Sequence, residues 1–106
     1  MIKLDLDQIE PREVAPGFNA RFIHSKNMTF SYWTINSGAR LPEHSHPHEQ
    51  VVNMLEGRFE MTVGSETTEL TPGMVVVIPG DIPHSGYALS DCRILDVFHP
   101  VREEYR

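Results

Sequence analysis

The stretch Gly38–Gly57, G-A-R-L-P-E-H-S-H-P-H-E-Q-V-V-N-M-L-E-G, sets His44, His46 and His48 close together and follows them with Gln50. In an extended segment alternate side chains share one face. His44, His46 and Gln50 therefore present two imidazoles and an amide oxygen on the same side. Neutral imidazole nitrogen is a ready donor to a divalent metal, and an amide oxygen can join it. Pro47 interrupts the strand between His46 and His48, so His48 is assigned to the rim of the site. A second stretch, Thr71–His84, T-P-G-M-V-V-V-I-P-G-D-I-P-H, delivers His84 from a rigid Pro/Gly frame. Together the two read as a divalent-metal site, His44, His46, Gln50 and His84, in the mouth of a small β-barrel. Three imidazoles and an amide leave a 2+ charge uncompensated, which favours Lewis acidity and an anionic ligand. The donor set suits nickel, zinc, iron, manganese or cobalt.

Outward from this stretch the chain reads as eight or nine short strands with turn signals about every 8–12 residues, the pattern of an all-β sandwich or barrel. Phe18–His24 and Met28–Ile35 are expected as strands, the second with a change of phase that implies a bulge or burial on both sides. Gln50–Glu56 and Arg58–Val63 are expected to form a hairpin around Gly57. Glu66–Leu70, His84–Ala88 and Cys92–Phe98 complete the set. Met74–Ile78 is continuously apolar and is expected to be buried on both faces. The expected layout is one domain over residues 1–106: an arm at 1–17 with at most one helical turn, a barrel at 18–99 and a charged tail at 100–106.

Composition narrows the function. A chain of 106 residues with a formal net charge of −6 and no basic block is not built for nucleic acid. No apolar run reaches the roughly 18 residues of a membrane span, and the start lacks a signal-peptide layout. The single Cys92 excludes an internal disulfide and reads as a small buried hydrophobe. A cytoplasmic homodimer acting on a small anionic molecule is the expectation. His24 and His99 read as satisfied or surface histidines. Tyr32 and Trp33 read as core or dimer-contact residues.

The spacing Gly38-x5-His44-x-His46-x3-Gln50-x6-Gly57 resembles the first cupin motif, and Gly73-x5-Pro79-x-Asp81-x2-His84 the second. Gln50 replaces the usual glutamate, Asp81 the usual glycine, and Ala88 stands where the second motif ends in asparagine. H-S-H-P-H-E-Q, L-E-G-R-F-E-M-T-V-G-S-E-T, I-P-G-D-I-P-H and L-D-V-F-H-P-V-R-E-E-Y together resemble the pectin-degradation cupins of the KdgF type. That resemblance implies a conical double-stranded β-helix with the metal on His44, His46, Gln50 and His84. It also implies linearisation of 4,5-unsaturated monouronates to a 5-keto-4-deoxyuronate, with functional residues at Asp96, Phe98 and Arg102. Spacing alone leaves Asp96 between a turn cap and a cavity acid, and Arg102 between a solvated tail charge and a carboxylate ligand. Two other readings share the same metal site. One is a non-catalytic module binding a small sugar acid, which needs no Asp96. The other is a metal-dependent dioxygenase, which the missing carboxylate ligand disfavours.

Overall fold

The computed structural model describes residues 1–106 as ten strands and two short 3-10 turns, Leu6–Gln8 and Glu103–Tyr105. The strands are β1 (Arg12–Ala15), β2 (Phe18–His24), β3 (Thr29–Ile35), β4 (Arg40–His44), β5 (Glu49–Glu56), β6 (Phe59–Val63), β7 (Glu66–Leu70), β8 (Val75–Ile78), β9 (His84–Ala88) and β10 (Cys92–His99). They form two antiparallel sheets, one in the order β1-β2-β3-β10-β5-β8 and one in the order β4-β9-β6-β7. The alternation of apolar and polar residues decides which face turns inward. In β10, Cys92, Ile94, Asp96 and Phe98 are buried, and Arg93 and His99 are exposed. Phe18, Trp33, Val52, Met54, Phe59 and Ile78 meet in the core between the sheets. No helix is long and apolar enough to cross a membrane. The all-β jelly-roll-like barrel expected from the sequence is the fold observed.

Several local expectations change. Gln50–Glu56 and Arg58–Val63 are not a hairpin: β5 pairs with β10 and β8, whereas β6 pairs with β7 and β9. Gly57, at φ 86°, carries the chain from one sheet to the other. A Cβ there would fall 2.1 Å from the Asp91 carbonyl oxygen, so the glycine is needed for close approach as well as for its dihedral. The hairpin that does form is β6–β7, in unbroken register from Phe59↔Leu70 to Val63↔Glu66.

β8 is not buried on both faces. It lies at the end of the six-stranded sheet with Val75 and Val77 turned to solvent, 56% and 57% exposed. β3 has no phase change or bulge. Its register with β2 and β10 is continuous, and Thr29, Ser31, Trp33 and Ile35 face inward. Two small polar residues on that face hid its alternation. The expected arm contains a strand, β1, paired with β2, so only the first eleven residues lie outside the sheets.

Candidate metal centre and the cavity beneath it

The four expected ligands come from four places, and His44, His46 and Gln50 do not share one strand face. His44 ends β4, His46 follows in the loop broken by Pro47, and Gln50 is the second residue of β5. His84 opens β9, where it pairs with His44. The chain therefore turns between His46 and Gln50, and the convergence is tertiary rather than a matter of strand parity. One ring nitrogen from each of His44, His46 and His84 lies within 4.8 Å of the others.

Hydrogen bonds fix how these rings present themselves. The Nδ1 atoms of His44, His46 and His84 donate to the backbone carbonyls of Pro42 (2.9 Å), His48 (3.0 Å) and Ile82 (2.9 Å). A ring that donates from Nδ1 while neutral leaves its Nε2 lone pair free. His84 Nε2 is buried with no partner. His46 Nε2 lies 3.0 Å from Gln50 Oε1, which puts two acceptors face to face. Burial first, and the charge of Arg102 second, hold the His46 pKa down to about 4. Burial also lowers that of His84. Protonation is thus a poor cure for the opposed acceptors, and a cation between them is a good one. Carbonyl-oriented histidines of this kind are the usual outer support of metal ligands. The donor set fits one divalent metal ion.

The two loops that carry the site brace each other. The Asp81 N–H donates to the His46 carbonyl at 2.8 Å. Gly80 passes so close to Pro47 that a Cβ would lie 2.4 Å from its carbonyl oxygen. Asp81 adopts φ 67°, a left-handed conformation that glycine takes freely and aspartate tolerates. The departure from the motif's usual glycine thus keeps the loop shape. The His48 carbonyl orients His46, and the His48 Nδ1 is buried without a partner.

Beneath the histidines lies a cavity of about 230 Å³. Asp96 and Phe98 face it from β10, and Arg102 reaches it from the tail. Asp96 Oδ2 accepts from the Trp33 indole N–H at 3.0 Å, while Oδ1 is buried with no partner. Burial pushes the Asp96 pKa up to about 7. The nearby Gln50 amide, which makes no hydrogen bond to Oδ1, the Trp33 indole and the Arg102 charge offset part of that rise. Asp96 is therefore a cavity acid rather than a turn cap. Arg102 is not a solvated tail charge: its side chain is 12% exposed. Its guanidinium rests on the Phe98 ring at 4.9 Å and the Tyr105 ring at 4.4 Å, and pairs with Glu104.

Sequence reasoning missed the residues that hold these groups. Trp33 reaches Asp96 from the neighbouring strand, and only the β3–β10 register brings them together. Tyr105 covers Arg102 and stacks on Phe22 at 4.4 Å. Its place at the end of the L-D-V-F-H-P-V-R-E-E-Y stretch was the one available signal. Thr29 Oγ1 accepts from the Arg102 backbone N–H at 2.9 Å and contacts His24 Nδ1 at 2.8 Å; His24 Nε2 in turn reaches the Tyr105 carbonyl at 3.0 Å.

The cupin-domain family profile matches residues 31–98. An uncharacterised protein of Streptomyces coelicolor is 32% identical over 97 residues, covering 90% of this chain and 92% of that one. The polyketide synthase CurC of Streptomyces cyaneus is 36% identical over 63 residues, 58% of this chain and 41% of that longer protein. Among solved structures, KdgF from Halomonas sp. superposes with a TM-score of 0.89 at 26% identity, covering 94% of each chain. The profile takes in β3 to β10, the same segments that converge on the three histidines, and by that match the chain belongs to the cupin domain family.

Proposed function

We propose that this protein is a metal-dependent enzyme that opens the ring of a 4,5-unsaturated monouronate to give a 5-keto-4-deoxyuronate. The observation that carries the reading is Asp96: a buried acid with one free oxygen and a pKa raised to about 7, lining one cavity with His44, His84 and a shielded guanidinium. The likeness to KdgF over 94% of both chains supports it, as does the D-V-F-x-P-x-R segment that contributes Asp96, Phe98 and Arg102.

His44, His46, Gln50 and His84 would hold the metal, which when bound supplies Lewis acidity toward negative charge developing on a substrate oxygen. Arg102, resting on the Phe98 and Tyr105 rings, pairs with the substrate carboxylate and fixes the ring beneath the mouth. Ionised Asp96 takes the proton of the anomeric hydroxyl. The C1–O5 bond then breaks as C1=O forms, and its electron pair passes to O5 as an enolate. Asp96 returns the proton to C4, leaving the C5 ketone; no water or oxidant is consumed. Trp33 keeps one carboxylate oxygen engaged so that the other alone moves the proton.

The test is loss of the conjugated double-bond absorbance of a 4,5-unsaturated monouronate, on protein of known metal content. We expect metal-dependent turnover that falls about 10²- to 10⁴-fold in Asp96→Asn, with metal content unchanged. No acceleration over the spontaneous rate in metal-loaded protein would overturn the reading and favour the binding module.

The cavity lining favours a second reading. Its depth is walled by Phe18, Ile35, Val52, Phe59, Met61 and Ile94, which offer nothing to sugar hydroxyls. An acid with an apolar body fits that depth, and CurC is a relative named for polyketide synthesis. A thermal-shift comparison of uronates with alkyl and aromatic carboxylates, on metal-loaded protein, separates the two.

A further inference from the structure

We infer that Glu104 is a built-in rival for the ligand's carboxylate: it holds one edge of the Arg102 guanidinium and yields that edge when a carboxylic acid binds. This role rests on the reading, common to both acids proposed above, that Arg102 receives a carboxylate. Arg102 lines the cavity and Glu104 does not. The Glu104 side chain is 54% exposed, against 12% for Arg102, so it meets the guanidinium from the solvent side. Its Oε1 accepts from Nε, the only side-chain nitrogen of Arg102 that is hydrogen-bonded. Both terminal nitrogens are without a protein partner.

A carboxylate grips arginine best through two parallel N–H bonds. Glu104 makes only half of such a grip. A half-exposed ion pair of this kind contributes little, because it orders a long side chain and water screens it. It is strong enough to oppose a ligand and weak enough to be displaced by one that engages two nitrogens. Nor is Glu104 needed to aim Arg102. The Arg102 N–H is fixed on Thr29 Oγ1 at 2.9 Å, and the guanidinium rests on the Phe98 and Tyr105 rings. The hydrogen bond from Arg102 first, and after it the charges of Arg102, His48 and His46, hold the Glu104 carboxyl below its usual range against the opposing effect of burial. Its carboxylate thus lies in the field of both the guanidinium and the histidine cluster, where a ligand carboxylate would also lie. The neighbouring acid differs: Glu103 pairs with Arg106 and is 74% exposed. An uncompensated guanidinium beside a divalent metal ion would retain any small anion, product included. A rival carboxylate two residues away is present at high effective concentration and returns as soon as the ligand loosens. Glu104 therefore shifts the site from retention toward release.

The experiment is calorimetric titration of nickel-loaded protein with benzoate and with glucuronate, two carboxylates on unlike bodies. The proteins are wild type, Glu104→Gln, Glu104→Ala and Glu103→Gln, and the Glu104 pair again on an Arg102→Gln background. Metal content and far-UV circular dichroism check that each is folded and loaded. We expect both Glu104 variants to bind the acids about three- to fivefold more tightly than wild type, and Glu103→Gln, with the same change of charge in the same turn, to match wild type. On the Arg102→Gln background binding should be weak or absent, with no gain from either Glu104 substitution. Unchanged or weaker binding by Glu104→Ala would make Glu104 a support of Arg102 rather than its rival and overturn the proposal. Equal tightening in Glu103→Gln, or tightening that survives Arg102→Gln, would do the same, since either is a general effect of net charge. Binding of neither acid by any of the proteins would overturn carboxylate capture at Arg102, and the role of Glu104 with it. Turnover of the unsaturated uronate is followed separately. Tighter binding in the Glu104 variants without turnover in any protein would sink ring opening and leave the role of Glu104 standing; turnover with unchanged affinities would do the reverse.

Discussion

At the scale of single residues the site is defined by groups left without partners. His84 Nε2 and Asp96 Oδ1 are buried and unsatisfied, and His46 Nε2 opposes Gln50 Oε1. An unsatisfied buried polar atom costs about 1–3 kcal/mol, so a cation and a ligand are what such a site is built to receive. Asp96 allows a test without any substrate. Its folded pKa of about 7 lies above its ordinary 3.8, so the metal-free fold favours the protonated form. Its contribution to stability is complete below about pH 4 and is lost as pH rises through about 7. Asparagine has nearly the same shape and never ionises. In chelator, Asp96→Asn should therefore gain on wild type between about pH 4 and about pH 7, by up to a few kcal/mol at about 1.4 kcal/mol per pK unit. Denaturant midpoints measure the gap, and a gap independent of pH would mean that the carboxylate finds a counter-charge in the metal-free fold. Asp81 offers a second test. Asp81→Gly should keep stability and metal loading, whereas Asp81→Val should cost about 1–2 kcal/mol, because a β-branched side chain resists φ 67°. Thermal melts of both variants with and without metal decide it.

At the scale of elements the tail after β10 is a strap that holds Arg102 in place. It is fastened by Thr29 at the Arg102 N–H, by His24 and Arg12 at the Tyr105 carbonyl, and by the stack of Tyr105 on Phe22. The direction of the hydrogen bonds follows from the fixed donor. The Arg102 N–H donates to Thr29 Oγ1, the threonine hydroxyl is free to donate to His24 Nδ1, and His24 Nε2–H then donates to the Tyr105 carbonyl. Thr29→Val keeps the buried shape and removes the hydroxyl. We expect it to raise KM for an acidic substrate several-fold while metal content and kcat change little, since Arg102 loses its anchor and Asp96 does not. A fall in kcat at unchanged KM would show that Arg102 acts on the chemistry rather than on binding. Tyr105→Ala removes one of the two rings that the guanidinium rests on and should act in the same direction, more strongly.

At the scale of the whole molecule the candidate ligands come from both sheets. His44 and His84 belong to the four-stranded sheet, and Gln50 to the six-stranded one. A metal held by all of them ties β4, β5 and β9 together and stabilises the folded state by mass action. At about 100 times Kd that linkage is worth about 2.7 kcal/mol, which for a chain of this size corresponds to a rise in Tm of roughly 10–20 °C. Scanning calorimetry with added nickel or zinc should show this rise in wild type and its loss in His84→Ala. An equal rise in the variant would mean that the metal sits elsewhere.

The primary structure alone determined the class of fold and the identity of the histidine cluster. Both depend on local information: turn residues at regular intervals, period-two alternation, and chemically distinctive side chains at short spacing. The parity of Ile94, Asp96 and Phe98 was legible for the same reason. Pairing was not legible, because it depends on which strands meet. Gly57 reads as a hairpin turn, yet it is a crossing between sheets, since β5 finds better partners in β10 and β8 than in β6. The Val75–Ile78 run reads as buried, yet its place at the edge leaves Val75 and Val77 outside. His46 and Gln50 read as neighbours on one strand, yet Pro47 turns the chain and the loop brings them to 3.0 Å. Only the packed structure decided that Trp33 holds Asp96 and that Thr29 and His24 fasten the tail. Each of those contacts joins residues distant in the chain, and their proximity follows from the burial of the whole core rather than from any one segment's preference.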